Sequence, residues 1–353
     1  MKIYSCSNCN NPLYFENTIC LSCNHSVGFD RLQLSMLTLQ KKPTGTVYIN
    51  IKTNNTYKYC LNARHGNCNW VLPASSIFTY CLACDLNRTI PPLDNQEFKA
   101  RWDQIECAKH RLVYALIRLN LPIRKKINES VDDIAFDFMV ELSPEERVIT
   151  GHDLGVITLN IDEADEAQRT KHKLDLGEKY RTLLGHLRHE IGHYYWDILI
   201  QNSIYINEFR RIFGDETFDY DLALENYYSS TAIPNWQDQF ISIYSSAHPW
   251  EDWAESWAHY MHIMDTLETA YDFGIELNTE KLHQNNITSI TFDTYTVSDF
   301  RTLFNMWVPL TFVVNNLNRS MGHSDFYPFV ISEKVVEKLS FIHNICKVNR
   351  VVQ

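Results

Sequence analysis

The stretch Leu184-Gly185-His186-Leu187-Arg188-His189-Glu190-Ile191-Gly192-His193-Tyr194-Tyr195-Trp196 sets two histidines four residues apart around a glutamate. On a helix, residues i and i+4 share a face, so His189 and His193 can present both imidazoles to one zinc ion while Glu190 reaches the water beside it. Leu183, Leu184, Leu187, Ile191, Ile198 and Leu199 form an apolar stripe around the motif, which predicts that helix and lays it against a core. His186, one turn before His189, reads as a polar residue or an outer partner rather than a ligand.

A catalytic zinc needs a third protein ligand and one open position. The best source is His248-Pro249-Trp250-Glu251-Asp252-Trp253-Ala254-Glu255-Ser256-Trp257-Ala258-His259-Tyr260, an aromatic-rich helix beginning just after Pro249. Glu251 is the expected third ligand. Glu255, one turn on, would accept the free imidazole N–H of a ligand histidine. Glu255, Asp252, His259 and His262 stay open as rivals for the third position, since the last two recur near the same face. His248 reads as a cap or a surface residue.

Outward from these helices, Phe98 to Leu121 repeats apolar residues at helical spacing. Alternation then predicts strands at Ile134–Val140 and at Val156–Ile161, and from about residue 163 the pattern is mostly helical. Residues 297–350 read as apolar helices that complete the core beneath the metal site. The fold class is α+β, a small sheet followed by a helical majority. Thr89-Ile90-Pro91-Pro92-Leu93-Asp94-Asn95 stops any regular element and marks a boundary near residue 96, giving segments 1–96 and 97–353.

The first segment holds eight of the ten cysteines. Cys6, Cys9, Cys20 and Cys23 have zinc-ribbon spacing, two tight knuckles that close a tetrahedral four-thiolate site. Cys60, Cys68, Cys81 and Cys84 form a second set with one loose knuckle, with His65 as a spare donor should Cys60 not bind. Zinc replaces a core too small to form alone; whether the ribbons only staple the fold or also dock a protein partner stays open. Cys107 and Cys346, isolated in helical patterns, read as buried thiols.

With 353 residues, 45% apolar and 21% charged, the composition excludes disorder, collagen and coiled coil as the dominant state. No run approaches a membrane span and no apolar signal core precedes the first cysteines, so the expected location is the cytoplasm. The net charge of −11 disfavours phosphate backbones and anionic lipid. Residues 1–97 carry eight Lys/Arg against five Asp/Glu, a balance of +3 that leaves −14 in the remainder. Two zincs on eight thiolates bring the first segment to about −1, which removes a basic-patch argument for nucleic acid.

The cysteine clusters, Asn87-Arg88-Thr89-Ile90-Pro91, Gly155-Val156-Ile157-Thr158-Leu159-Asn160-Ile161, the His-Glu-x-x-His motif, the stretch 248–260 and Asn318-Arg319-Ser320-Met321-Gly322 together resemble the bacterial zinc-binding metallopeptidases with an amino-terminal zinc-ribbon domain. That resemblance covers nearly the whole chain and implies a zincin-like peptidase body with one catalytic and two structural zincs. A narrower likeness is to the gluzincin catalytic domain of anthrax lethal factor. It implies that the first Glu of Glu-x-x-Ala-Glu, here Glu251, is the third ligand and that a tyrosine seven residues earlier, here Tyr244, faces the zinc.

The expected chemistry is zinc-assisted peptide hydrolysis with Glu190 as general base and Tyr244 stabilising the oxyanion. The substrate would lie along an edge strand above the active-site helix, with Val156, Thr158 and Asn160 as its binding residues. Two alternatives stand beside it. One is a non-enzymatic docking protein, which has no need of an intact general base; the other is a nucleic-acid-associated protease, which the acidic body disfavours.

Overall fold

In the computed structural model, which describes residues 2–43, 45–127, 130, 132–143, 147–175, 182–229, 234–277 and 290–350, both knuckles of the first cysteine cluster end on an asparagine. Asn10 follows Cys9 at φ 59° and Asn24 follows Cys23 at φ 60°. Asn tolerates the left-handed region, and each closes its turn by donating to the first cysteine's carbonyl, Asn10 N to Cys6 O and Asn24 N to Cys20 O, both at 2.8 Å. Strands β1 (Tyr4–Ser5) and β2 (Pro12–Leu13) pair across the first knuckle. A five-stranded antiparallel sheet follows in chain order: β3 (Ser26–Asp30), β4 (Ser35–Lys41), β5 (Tyr48–Asn50), β6 (Thr56–Tyr59) and β7 (Val71–Pro73). Its far edge curls back, and Phe29 N donates to Asn69 O at 3.0 Å.

The short helix α1 (Leu82–Asp85) starts at Cys81, and β8 (Asn87–Thr89) leaves it. Although β8 precedes the boundary expected near residue 96, it pairs in parallel with β9 (Ala135–Met139) and so belongs to the sheet of the second segment. That four-stranded sheet runs β10 (Gly151–Asp153), β11 (Val156–Asn160), β9, β8, with only β10 antiparallel. Strand β9 is buried on both faces rather than on the alternate positions its sequence suggests: Phe136 and Phe138 face Lys109, while Asp137, 6% exposed, is held by Arg88. Parallel strands covered on both sides lose the wet face that alternation signals.

Helix α2 (Gln96–Leu119) is capped by Asn95, whose side chain accepts from Glu97 N and Phe98 N, and ends at Asn120 in the left-handed region. After it come α3 (Glu166–Asp175), α4 (Leu183–Trp196), α5 (Ile206–Phe213), α6 (Tyr220–Ser229), α7 (Pro249–Asp272), α8 (Phe300–Ser320) and α9 (Glu333–Val348). Helix α7 is the hub. It packs on α4 along one side and on α8 and α9 along the others, with Trp253, Trp257 and Tyr260 fully enclosed. Tyr114 and Arg118 of α2 both donate to Glu268 of α7, at 2.9 and 2.6 Å.

The cysteine-rich segment and the body share one apolar core. The Tyr114 ring lies 5.4 Å from that of Phe15 and 6.0 Å from that of Phe29, with Trp70 beside both. Each such buried aromatic stabilises by about 1.5–3 kcal/mol, so this contact fixes the ribbon on α2. No helix among the described residues is long and apolar enough to cross a membrane.

Candidate functional site

Two helices carry the candidate ligands, and a glycine lets them meet. Thr182 caps α4 by accepting from Gly185 N, and His248 caps α7 by accepting from Trp250 N with Pro249 in the first turn. His248 is thus a cap, and a buried one, its other ring nitrogen lying 3.2 Å from Phe218 O. A Cβ on Gly192 would stand 3.0 Å from Ala254 Cα and 3.1 Å from Trp257 Cβ, so only glycine permits this approach of α4 to α7. Trp253 seals the contact by donating to Gly192 O at 2.8 Å.

At that crossing His189, His193 and Glu251 each aim one ligand atom at a common point. His189 Nε2 lies 3.2 Å from His193 Nε2 and 3.0 Å from Glu251 Oε2, and His193 Nε2 lies 3.6 Å from Glu251 Oε1. A tetrahedron with metal–nitrogen bonds of 2.0–2.1 Å has edges of about 3.3 Å, so the donors already stand at the spacing zinc requires. Glu251 is 1% exposed and its Oε2 has no hydrogen-bond donor among the described residues, an orphan that a cation would satisfy. Burial works against its charge, yet His193 and His189 hold it well below the usual carboxylate range.

Glu255 Oε1 lies 2.8 Å from His189 Nδ1, a partner that would hold the ring proton there and free Nε2 for a metal. The rival third ligands are engaged elsewhere, Asp252 with Lys338 at 2.6 Å, His259 with the Tyr327 hydroxyl at 2.7 Å and His262 with Arg188 at 2.6 Å. Glu190 is 5% exposed and sits 3.2 Å from His186 Nε2; against the effect of burial, that contact pulls its carboxyl down. His186 also meets Glu163 Oε2 at 2.5 Å, and although burial disfavours its charge, the two carboxylates push it up to about 9.

Tyr244 stands on a short turn directly before α7, its ring 6.0 Å from that of His189. Burial and the nearby Glu251 raise its hydroxyl well above the ordinary range. A second tyrosine, which sequence reasoning missed, comes from α6: Tyr220 donates its hydroxyl to Glu251 Oε1 at 2.6 Å. With Oε1 so engaged, Oε2 is the oxygen that would be left for a metal.

The expected substrate strand needs correction. Val156, Thr158 and Asn160 lie in β11, which is paired on one side with β9 and on the other with β10. The open edge belongs to Gly151–Asp153, joined to β11 through Leu154 and Gly155, both at positive φ. A leucine in that region is unusual for a tight hairpin, which prefers Asn or Asp there, so the sequence concealed the turn. His152 of β10 lies 6.5 Å from the His193 ring and nearly parallel to it, and burial with the neighbouring His193 lowers its pKa to about 4.

Both cysteine sets gather as four. In the first, Cys6 Sγ lies 3.5 Å from Cys23 Sγ and Cys9 Sγ 3.6 Å from Cys20 Sγ; in the second, Cys68 Sγ lies 3.7 Å from Cys81 Sγ. A zinc tetrathiolate with 2.3 Å bonds has edges of about 3.8 Å, close to these separations. Cys60 is within the second set and His65 is not, its ring accepting from Arg64 instead. The second set has an unforeseen neighbour on α2: His110 Nε2 is 3.7 Å from Cys84 Sγ and 3.9 Å from Cys81 Sγ, while its Nδ1 bonds Glu106 O at 2.6 Å. Cys346 is buried as expected, whereas Cys107 is only half-buried, near Glu16.

Comparison with known proteins bears on the family. A family model described as "Putative zinc-binding metallo-peptidase" matches residues 98–345, and one for a zinc-ribbon domain matches residues 3–95. Uncharacterized proteins of Mycobacterium tuberculosis (strain H37Rv) and Mycobacterium bovis are each 38% identical over 348 residues, spanning 98% of this chain and 95% of their own length. No solved structure matches.

Proposed function

The chain belongs to the zinc-binding metallopeptidase family, and from that premise we propose that it hydrolyses peptide bonds at the site of His189, His193, Glu251 and Glu190. The observation that carries the reading is the convergence of three donors at tetrahedral spacing with a nearly buried carboxylate on the adjacent residue. Zinc held there supplies Lewis-acid polarisation of a carbonyl and acidifies water.

The chain's own residues would do the rest. Glu190 accepts the proton of the attacking water and delivers it to the leaving amine nitrogen. The Tyr244 hydroxyl donates to the oxyanion that forms on the carbonyl oxygen. Glu255 keeps His189 in the tautomer that leaves Nε2 unprotonated. An extended peptide would pair with the open edge of Gly151–Asp153, beside His193, rather than with β11. The two four-cysteine sets would hold structural zinc.

The test compares new protein termini in a lysate treated with the wild type or with Glu190→Gln, zinc content being measured for both. Termini produced by the wild type and absent with Glu190→Gln at equal zinc support the reading. The same termini with both proteins would refute Glu190 as the base, and none with either would return the chain to a docking role.

A further inference from the structure

Beside the metal donors Glu190 ends a chain of three groups, Glu163, His186 and Glu190, of which the hydrolytic reading gives the first two no role. His186 Nδ1 is 2.5 Å from Glu163 Oε2, and its Nε2 is 3.2 Å from Glu190 Oε1. We propose that His186 is a positioning residue for Glu190, held in place by Glu163, so that one carboxylate oxygen of Glu190 is locked and the other is presented to water. This rests on Glu190 being the general base.

Three features argue for such a role over simple packing. Glu163 and Glu190 are 8% and 5% exposed, and two carboxylates are costly to bury without a shared donor. His186 lies in the first turn of α4, the positive end of the helix dipole, where a ring donating to two anions is unfavourable unless those anions hold it. Glu163 is itself fixed: its turn, Ile161–Ala164, follows β11 directly, Arg101 of α2 pairs with Asp162 in that turn, and Arg169 donates to Glu163 O at 2.5 Å.

The chemical consequence follows from the torsion of a glutamate. The last side-chain bond of Glu rotates through a broad well, so an unheld carboxylate would present either oxygen over a range of angles. With Oε1 engaged by His186, Oε2 is the acceptor. The water O–H bond breaks and Oε2–H forms as the water oxygen bonds the carbonyl carbon; the same proton then passes from Oε2 to the nitrogen as the C–N bond breaks, His186 keeps its own protons throughout, and no further reactant is consumed.

The test uses the full chain, fluorescein-labelled casein as probe, and the variants His186→Leu, His186→Gln and Glu163→Gln. Gln at 186 can still donate to Glu190, and Leu cannot. The expected result for His186→Leu is a kcat lower by about 10–100-fold with KM within about twofold and zinc content unchanged, largely restored in His186→Gln. Glu163→Gln should show a smaller loss of the same kind. Crystal structures of the two 186 variants give a readout apart from activity: the Glu190 carboxylate turned away in the Leu variant and in place in the Gln variant. Full kcat in His186→Leu, a Gln variant no better than Leu, or a Glu190 carboxylate unmoved in both crystals overturns the proposal. If the wild type leaves casein intact, the hydrolytic reading fails for this probe, and the crystals alone decide the positioning role, displacement supporting it and an unmoved carboxylate refuting it.

Discussion

Replacing Gly192 by alanine probes the contact on which the proposed metal site depends. The new Cβ would stand 3.0 Å from Ala254 Cα and 3.1 Å from Trp257 Cβ, both on or next to the backbone of α7, so neither neighbour can swing aside. Ordinary carbon contacts begin near 3.5 Å, so α4 and α7 must separate by about 0.5 Å. Overpacking of this kind costs about 1–3 kcal/mol, and the better helix propensity of alanine returns about 1 kcal/mol, for a net loss of about 0–2 kcal/mol. Stability is therefore the weaker signal. His189 and His193 ride on α4 and Glu251 on α7, so the same movement pulls the carboxylate from the imidazoles by a distance at which preorganised sites lose function. The expected outcome is a zinc affinity at this site about tenfold lower or more, measured by competition with a chromophoric chelator, with the melting temperature down by only a few degrees. A Gly192→Ala protein that keeps wild-type zinc affinity would show that the helix contact does not set the ligand geometry.

Two further outcomes follow from individual groups. Tyr220→Phe removes the hydroxyl that engages Glu251 Oε1, and zinc affinity should fall by about 10–100-fold in the same competition assay while the melting temperature changes little. His343, buried between the Tyr260 hydroxyl and Val297 O, has its pKa lowered by burial from 6.5 to about 4. The unfolded chain therefore takes up a proton below pH 6.5 that the folded chain refuses until about pH 4, so this group's contribution is constant above 6.5 and is lost as pH falls through that window. The full loss is about 3 kcal/mol at about 1.4 kcal/mol per pH unit. Urea melts at pH 7 and pH 5 should show it, with a shallower dependence in His343→Gln; an equal dependence in both proteins would assign the acid sensitivity elsewhere.

The elements whose chemistry is set by local spacing were open to reading from the sequence. A helix fixes the distance between His189 and His193, and a knuckle fixes that between Cys6 and Cys9, so each pattern states its own geometry. That Glu251 stands beside the two histidines was readable for the same reason, because Pro249 marks where its helix starts and Glu255 falls one turn later. What escaped came from distant parts of the chain. Tyr220 reaches Glu251 from a helix with no buried residue, so no apolar pattern marks its inward side. His110 meets the second cysteine set from the middle of α2, where a histidine on an apolar face reads as core. Strand β8 was hidden because it lies before the prolines yet pairs in parallel with β9, a partner about fifty residues further on. Strand β10 was hidden by a turn that puts Leu154 in the left-handed region, and its absence made β11 look like the sheet edge.

The most direct measurement is zinc per chain on purified protein by elemental analysis, with His193→Ala beside it. The account predicts three zincs, one for each four-cysteine set and one for His189, His193 and Glu251, falling to two in the variant. Two zincs in both proteins would leave α4 and α7 without metal and contradict a zinc-dependent hydrolytic site.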